Sequence, residues 1–296
     1  EGWHYELDSK DGELVYKGVV YNEMKGAFSS PSRELYYQID KNLFPDNIYG
    51  NSSGGYPTVI PELSYEEFID FHETYYHPSN ARIMLYGDAN VMEELEFIDE
   101  AYLSNYDRKD VDANINLQKP FDAMKEITGV YPLPAGSDTT DQTFLAMSIV
   151  AGQSVDRDLT MALDVLTDVL VNQESAPLRL ALQEAEIGKD VSAGLTDTKQ
   201  NVVQIIVKNA NPDDAERFKE VVYTTLQDVA ENGIDKRALE GTINRLEFRL
   251  REGNDANKGL MYNFRMLNGW LYADDPFLSL RLEEPLKTVR NSLEND

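Results

Sequence analysis

Apolar residues recur along the chain at two spacings, every second position in short runs and every third or fourth in longer ones. Alternation at Trp3 to Leu7 and Leu14 to Val20 predicts short strands, or a strand running into a helix. In "GVVYNEMKGAFSS", Val20, Met24 and Phe28 share one helical face, and Ser30-Pro31 closes the segment. A second helix starts at Pro31, whose ring suits a first turn, and runs to about Phe44. Beyond the Gly, Ser and Pro-rich loop "NIYGNSSGGYPTVIPELS", Ser64 and Glu67 form a capping box for a helix from Tyr65 to His77, ended by Pro78. In that register Tyr65, Phe68, Ile69, His72 and Tyr76 share the stripe expected to be buried. "ARIMLYG" reads as a strand, and Val91 to about Leu103 as an acidic helix.

"NYDRKDVDANINLQKP" has linker composition. Past it, "EITGVYPL", "QTFLAMSIVAG", Lys189 to Leu195 and Asn201 to Val207 read as strands. Arg157 to Val171 and Leu178 to Ala185 read as helices. The helix after Asn211-Pro212 is expected to bury Phe218, Val222 and Val229. The next, capped by Asp235, is expected to bury Leu239, Ile243, Leu246 and Leu250. Strands arrive in groups and helices in groups, without βαβ alternation. That order predicts an α+β class, two domains of antiparallel sheet packed against helices, with 1–108 as the first domain, 109–124 as linker and 125–296 as the second.

Composition narrows the chemistry. The chain has 296 residues, 53 acidic against 27 basic side chains, and a net charge of -26. Such a field repels phosphate backbones and anionic lipid, so neither nucleic acid nor a membrane surface is the expected partner. With no Cys there are no disulfides, thiol nucleophiles or thiolate metal sites. No apolar run approaches a membrane span, which predicts a soluble chain.

Among three histidines, His72 and His77 in "FHETYYHPSN" imitate a zinc-peptidase helix. They are five residues apart, so on one helix they point about 140° from each other and cannot share a metal. His72 then reads as a packing residue, and His77 as a helix C-terminal residue whose charge suits the dipole. Glu23 is the better acidic candidate. On the helix of "GVVYNEMKG" it lies on the flank among Val19, Gly26 and Ala27, away from the solvated Asn22 and Lys25. A carboxylate on such a flank calls for a cation, and an interfacial salt bridge serves as well as a metal.

The stretches "EGWHYEL", "GELVYKGVVYNEMKGAFSSP" and "SGGYPTVIPELSYEEFIDFHETYYHPSNARIMLYGD" closely resemble the presequence-protease branch of the pitrilysin and insulinase family of inverted-zincin metallopeptidases. The segment from "QTFLAMSIVAG" through "NGIDKRALEGTINRLEFRLREGN" resembles the next domain of that branch. In the family an HxxEH helix supplies two zinc-binding His and a Glu that activates water, and a distal Glu completes the ligand set. By this resemblance Glu23 is the distal ligand.

HxxEH occurs nowhere in these residues. The expectation is therefore a fragment, its first domain incomplete at the N-terminus, that carries no catalytic residue, is inactive alone and retains little or no zinc. The resemblance implies a full-length zinc endopeptidase degrading short, unfolded peptides, with basic ones favoured, in a closed chamber completed by the remainder of the same polypeptide. Its compartment would be the cytoplasm of a bacterium or an organellar matrix of a eukaryote. A pseudo-peptidase or partner subunit that only binds peptides shares all these residues, as does, more remotely, an acidic α+β interaction protein.

Overall fold

The structure, a computed structural model, describes residues 2–7, 9–252 and 256–294. It divides into two compact units, Glu1–Pro134 and Ala135–Asp296.

The first unit opens with an antiparallel hairpin of β1 (His4–Leu7) and β2 (Leu14–Lys17). Tyr5 lies opposite Tyr16, and the Trp3 ring meets both edge-on at 5.4 and 5.6 Å. Such aromatic cross-strand contacts hold a ribbon too short to be stable alone. Gly18, at φ 134°, turns the chain directly into α1 (Val19–Ala27). The helix α2 (Pro31–Leu43) comes next, with Pro31 in its first turn. A long loop then leads to α3 (Tyr65–Tyr75), where Ser64 and Glu67 form the reciprocal capping box. After α3, the chain continues to α4 (Val91–Ala101), capped by Asn90. The core of this unit is small: Met24, Phe28 and Ile60 are buried, with Trp3, Tyr21, Tyr37 and Tyr56 packed against them.

The second unit is built on a three-stranded antiparallel sheet. Its strands are β3 (Thr143–Gln153), β4 (Asp190–Asp197) and β5 (Gln200–Ala210), in the order β3-β5-β4. Being central, β5 is buried on both faces, so Val202, Ile205, Ile206 and Val207 run almost continuously rather than alternating with polar residues. Between β3 and β4 lie α5 (Arg157–Thr167), a π-helical turn (Asp168–Asn172) and α6 (Pro177–Glu184). After the sheet come α7 (Ala215–Asn232), α8 (Lys236–Glu252), α9 (Lys258–Ala273) and α10 (Glu283–Glu294). One core joins Leu145, Ile205 and Val207 to Leu178, Leu182, Phe218 and Val222. A second joins Met161, Val165 and Val169 to Ile243, Leu246 and Val289. The chain is thus of mixed helix and sheet, and its ladders are antiparallel.

Several expectations are corrected. "ARIMLYG" and "EITGVYPL" are irregular, and neither pairs with a strand among the described residues. Alternation gives an extended chain, but a strand needs a ladder partner, and Ile83, Tyr86, Ile127 and Val130 stay exposed instead. The stripe of α3 is exposed too, with Tyr65 at 74% and Phe68 at 64%, because nothing in this unit covers it among the described residues. The helix beginning at Arg157 changes to π geometry at Asp168.

The division between units falls after Pro134, beyond the expected linker 109–124. That strip is tied back onto the first unit. Lys109 donates its N–H to the Ser79 hydroxyl, Asn47 donates to the Asn116 carbonyl, and buried Gln118 bonds Asp46 twice, accepting from its N–H at 3.1 Å and donating to its carboxylate at 2.7 Å.

Candidate functional site

α1 presents Glu23, and the way it is held explains how. At its N-terminal end, the Tyr21 N–H bonds the Gly2 carbonyl at 3.1 Å. A Cβ at Gly18 would lie 2.6 Å from both the Gly2 oxygen and Trp3 Cα, so only glycine allows this close approach at a positive φ. Met24 and Phe28 face inward and are buried, whereas Val20, expected on the same face, is 40% exposed.

On the outward flank, Glu23 is exposed and makes no hydrogen bond or ion pair among the described residues. Val19, one turn before it, is exposed, and a Cβ at Gly26, one turn after, would meet nothing within 4 Å. The flank that carries the carboxylate is therefore bare, apolar and small.

The other end of α1 is gripped by the loop that carries "SSGGYP". Gly54 sits on Met24, where a Cβ would come 2.5 Å from its Sδ. Gly55, at φ 87°, turns the chain there and brings Tyr56 against α1 and α2. The Tyr56 ring meets Phe28 edge-on at 4.8 Å and stacks on Tyr37 at 4.5 Å with the planes 16° apart. Its hydroxyl donates to Glu34 Oε2 at 3.3 Å, and Gln38 donates to Glu34 Oε1 at 2.8 Å. Glu34 is only 8% exposed. Burial, then the adjacent carboxylate, pushes the Tyr56 phenol above its ordinary value, which keeps the proton available for donation.

The histidines lie elsewhere in the unit and do other work. His72 is exposed, not half-buried, and stacks on Tyr76 at 4.7 Å. Because α3 stops at Tyr75, His77 stands beyond it, and its Nδ1 accepts the Ser79 N–H at 3.1 Å. The ring therefore caps the turn that follows, Pro78–Asn80, rather than the C-terminus of α3. His4 lies beside Glu6 on the hairpin. Among the described residues, no three His, Cys, Asp or Glu side chains gather as a metal would need. Glu23 suits zinc as a donor of the right chemistry with no competing partner among the described residues, but it is one ligand, not a site.

Sequence reasoning missed Glu34 and Tyr56. The available signal was an acid at position 34 of α2, one turn before Tyr37, an aromatic of the buried cluster. In the second unit, Asp168 pairs with Arg245 at 2.8 Å and Asp141 with Lys189 at 2.5 Å, and each carboxylate is thereby engaged.

Residues 62–246 match the family described as the peptidase M16 inactive domain, across the division between the units. The chain is 45% identical over 296 residues to "Protein HypA" of Clostridium perfringens, covering 99% of this chain and 30% of that protein. It is 36% identical to "Presequence protease 1, chloroplastic/mitochondrial" of Arabidopsis thaliana, covering 99% of this chain and 28% of that one. It therefore spans under a third of the length of these curated relatives. Among solved structures, the peptidase M16 inactive domain from Pseudomonas fluorescens superposes with a TM-score of 0.66 over 93% of this chain and 66% of that chain, at 17% identity. The M16-like peptidase from Alicyclobacillus acidocaldarius does so with a TM-score of 0.62 over 95% of this chain and 68% of that chain, also at 17% identity. These likenesses are likenesses of fold.

Proposed function

The chain belongs to the peptidase M16 family, and from that premise we propose that it is part of a zinc endopeptidase, to which it gives one metal ligand, Glu23, and an inactive homologous domain. The observation that carries the reading is the state of Glu23: a carboxylate without a partner among the described residues, on a bare flank of a helix fixed at both ends. A side chain so placed is ready to meet a cation supplied from outside the described residues. Bound zinc would polarise a scissile carbonyl and activate water. Glu23 would contribute one negative charge and one oxygen, and the helix behind it would hold that oxygen in place.

The exposed surface supports incorporation into a larger body. The chain exposes 19,822 Å², whereas even two separate domains of half this size would together expose about 15,000 Å². Exposed Tyr65, Phe68, Phe97 and Tyr102 contribute to the surplus. Short unfolded peptides are the proposed substrates, and the net charge of -26 favours basic ones. A peptide-binding partner subunit that does not cleave is the second reading, favoured by the family's description of residues 62–246 as inactive.

One comparison separates the two. The complete polypeptide that carries this chain should hold one zinc and cleave an unstructured basic peptide, and Glu23→Ala should greatly reduce both. Peptide binding without cleavage by a zinc-free wild-type polypeptide would sink the first reading and leave the second.

A further inference from the structure

Glu34 is a buried carboxylate whose hydrogen bonds come from neutral donors, the Tyr56 hydroxyl and the Gln38 amide. Burying a charge in this way is costly unless the bonds it accepts are worth keeping. What these bonds hold is the loop. Tyr56 is clamped between Phe28 and Tyr37, and two residues earlier Gly54 bears on Met24, the neighbour of Glu23. With the Gly2 contact at the opposite end, α1 cannot roll about its axis without breaking one of these contacts.

We propose that Glu34 and Tyr56 form a latch that sets the direction in which α1 presents Glu23, so that both are positioning residues for the metal. The inference rests on the reading of Glu23 as a zinc ligand and goes beyond it by assigning residues that never touch the ion. The latch acts from behind the helix: Tyr56→Phe loses only the hydroxyl and keeps the stacked ring, while Gly54→Ala pushes on Met24 directly.

The test uses the complete polypeptide and zinc itself, titrated against a competing chelator, with metal-free thermal unfolding recorded for each variant. Tyr56→Phe, Glu34→Ala and Gly54→Ala should each weaken zinc binding about tenfold to a hundredfold, the range of an orienting partner behind a ligand. Glu34→Gln keeps an acceptor for Tyr56, with the Gln38 amide turned over, and should bind zinc nearly as wild type does. For Tyr56→Phe, kcat should fall with KM unchanged, because the peptide's own contacts are untouched. If Glu34→Ala fails to fold, Tyr56→Phe decides.

Wild-type zinc affinity in Tyr56→Phe and Gly54→Ala, alongside weakened affinity in Glu23→Ala, would overturn the latch and spare the ligand. So would a drop in metal-free melting temperature with zinc affinity unmoved. Wild-type zinc affinity in Glu23→Ala would remove the reading on which the latch rests.

Discussion

The side chain of Asn172 pairs with the backbone of Ala193 as a neighbouring strand would. The Ala193 N–H donates to its Oδ1 at 2.9 Å, and its Nδ2 donates to the Ala193 carbonyl at 3.0 Å. Ala193 lies on β4, an edge strand of the sheet, and the π-helical turn delivers the amide to that edge. Arg179 donates to the Val191 carbonyl and Asn268 to that of Asp197, so side chains occupy the same edge on both sides.

Asn172→Ala should therefore expose a strand edge. Loss of two hydrogen bonds at an exposed position should cost about 1 kcal/mol. The freed edge should also make self-association concentration-dependent. Denaturant titration checks the first effect and sedimentation over a range of concentrations the second. A variant with the association state and the stability of wild type would contradict both.

Asn201 is fully buried and donates to the Thr160 hydroxyl at 3.0 Å, while that hydroxyl donates to the Asp156 carbonyl at 2.8 Å. Thr160→Val keeps the volume and strands the amide. The expected loss is about 1 to 3 kcal/mol in urea unfolding. Thr160→Ser, which retains the hydroxyl, should lose less.

Much of this structure was legible because it is local. The Ser64 capping box, the turn of helix at Pro31 and the Asp235 cap, whose Oδ1 accepts the Arg237 N–H at 2.8 Å, each depend on residues within one turn of each other. Glu34 and Tyr56 are 22 positions apart and meet only after the loop closes, so no periodicity announces them. The exposed stripe of α3 misled because its pattern is that of a buried face, and pattern says nothing about what supplies the cover. Helical spacing sets Glu23 apart from the solvated Asn22 and Lys25, whereas all three side chains are exposed, because no element covers that flank among the described residues. Spacing also leaves salt bridge and metal equal, and only the family resemblance favours the metal.

Burial raises the carboxyl of Asp40 to about 6, against the opposing pull of Arg33. The unfolded chain ionises this group near pH 4, so between about pH 4 and 6 the folded state holds the extra proton. Its contribution therefore makes the fold more stable as pH falls through that window, and the full penalty is present above it. Asp40→Asn should be more stable than wild type above the folded value and indistinguishable below pH 4, approximately the unfolded value. Urea midpoints measured for both proteins across this range give the difference curve, and a flat one would refute the assignment.

Gly188 and Gly233 both adopt positive φ, at 66° and 83°, but differ in their surroundings. A Cβ at Gly188 would run into the Val207 side chain and lie 2.7 Å from the Lys208 carbonyl, whereas one at Gly233 meets nothing within 4 Å. Gly233→Ala should cost about 1 to 3 kcal/mol of backbone strain, because with ψ at -178° the residue sits in a region that is essentially glycine's alone. Gly188→Ala should cost clearly more, since buried Val207 has no room to yield. Comparable melting temperatures for the two variants would refute the distinction.

The pair of hydrogen bonds between Gln118 and Asp46 bears on how the chain is cut. A protease must draw several residues of extended backbone into its own cleft, and a strip whose buried amide is fastened to the loop after α2 resists being drawn out. Under limited digestion the sensitive point should lie not within 109–124, where composition alone suggests it, but near Gly136 in the exposed turn that opens the second unit.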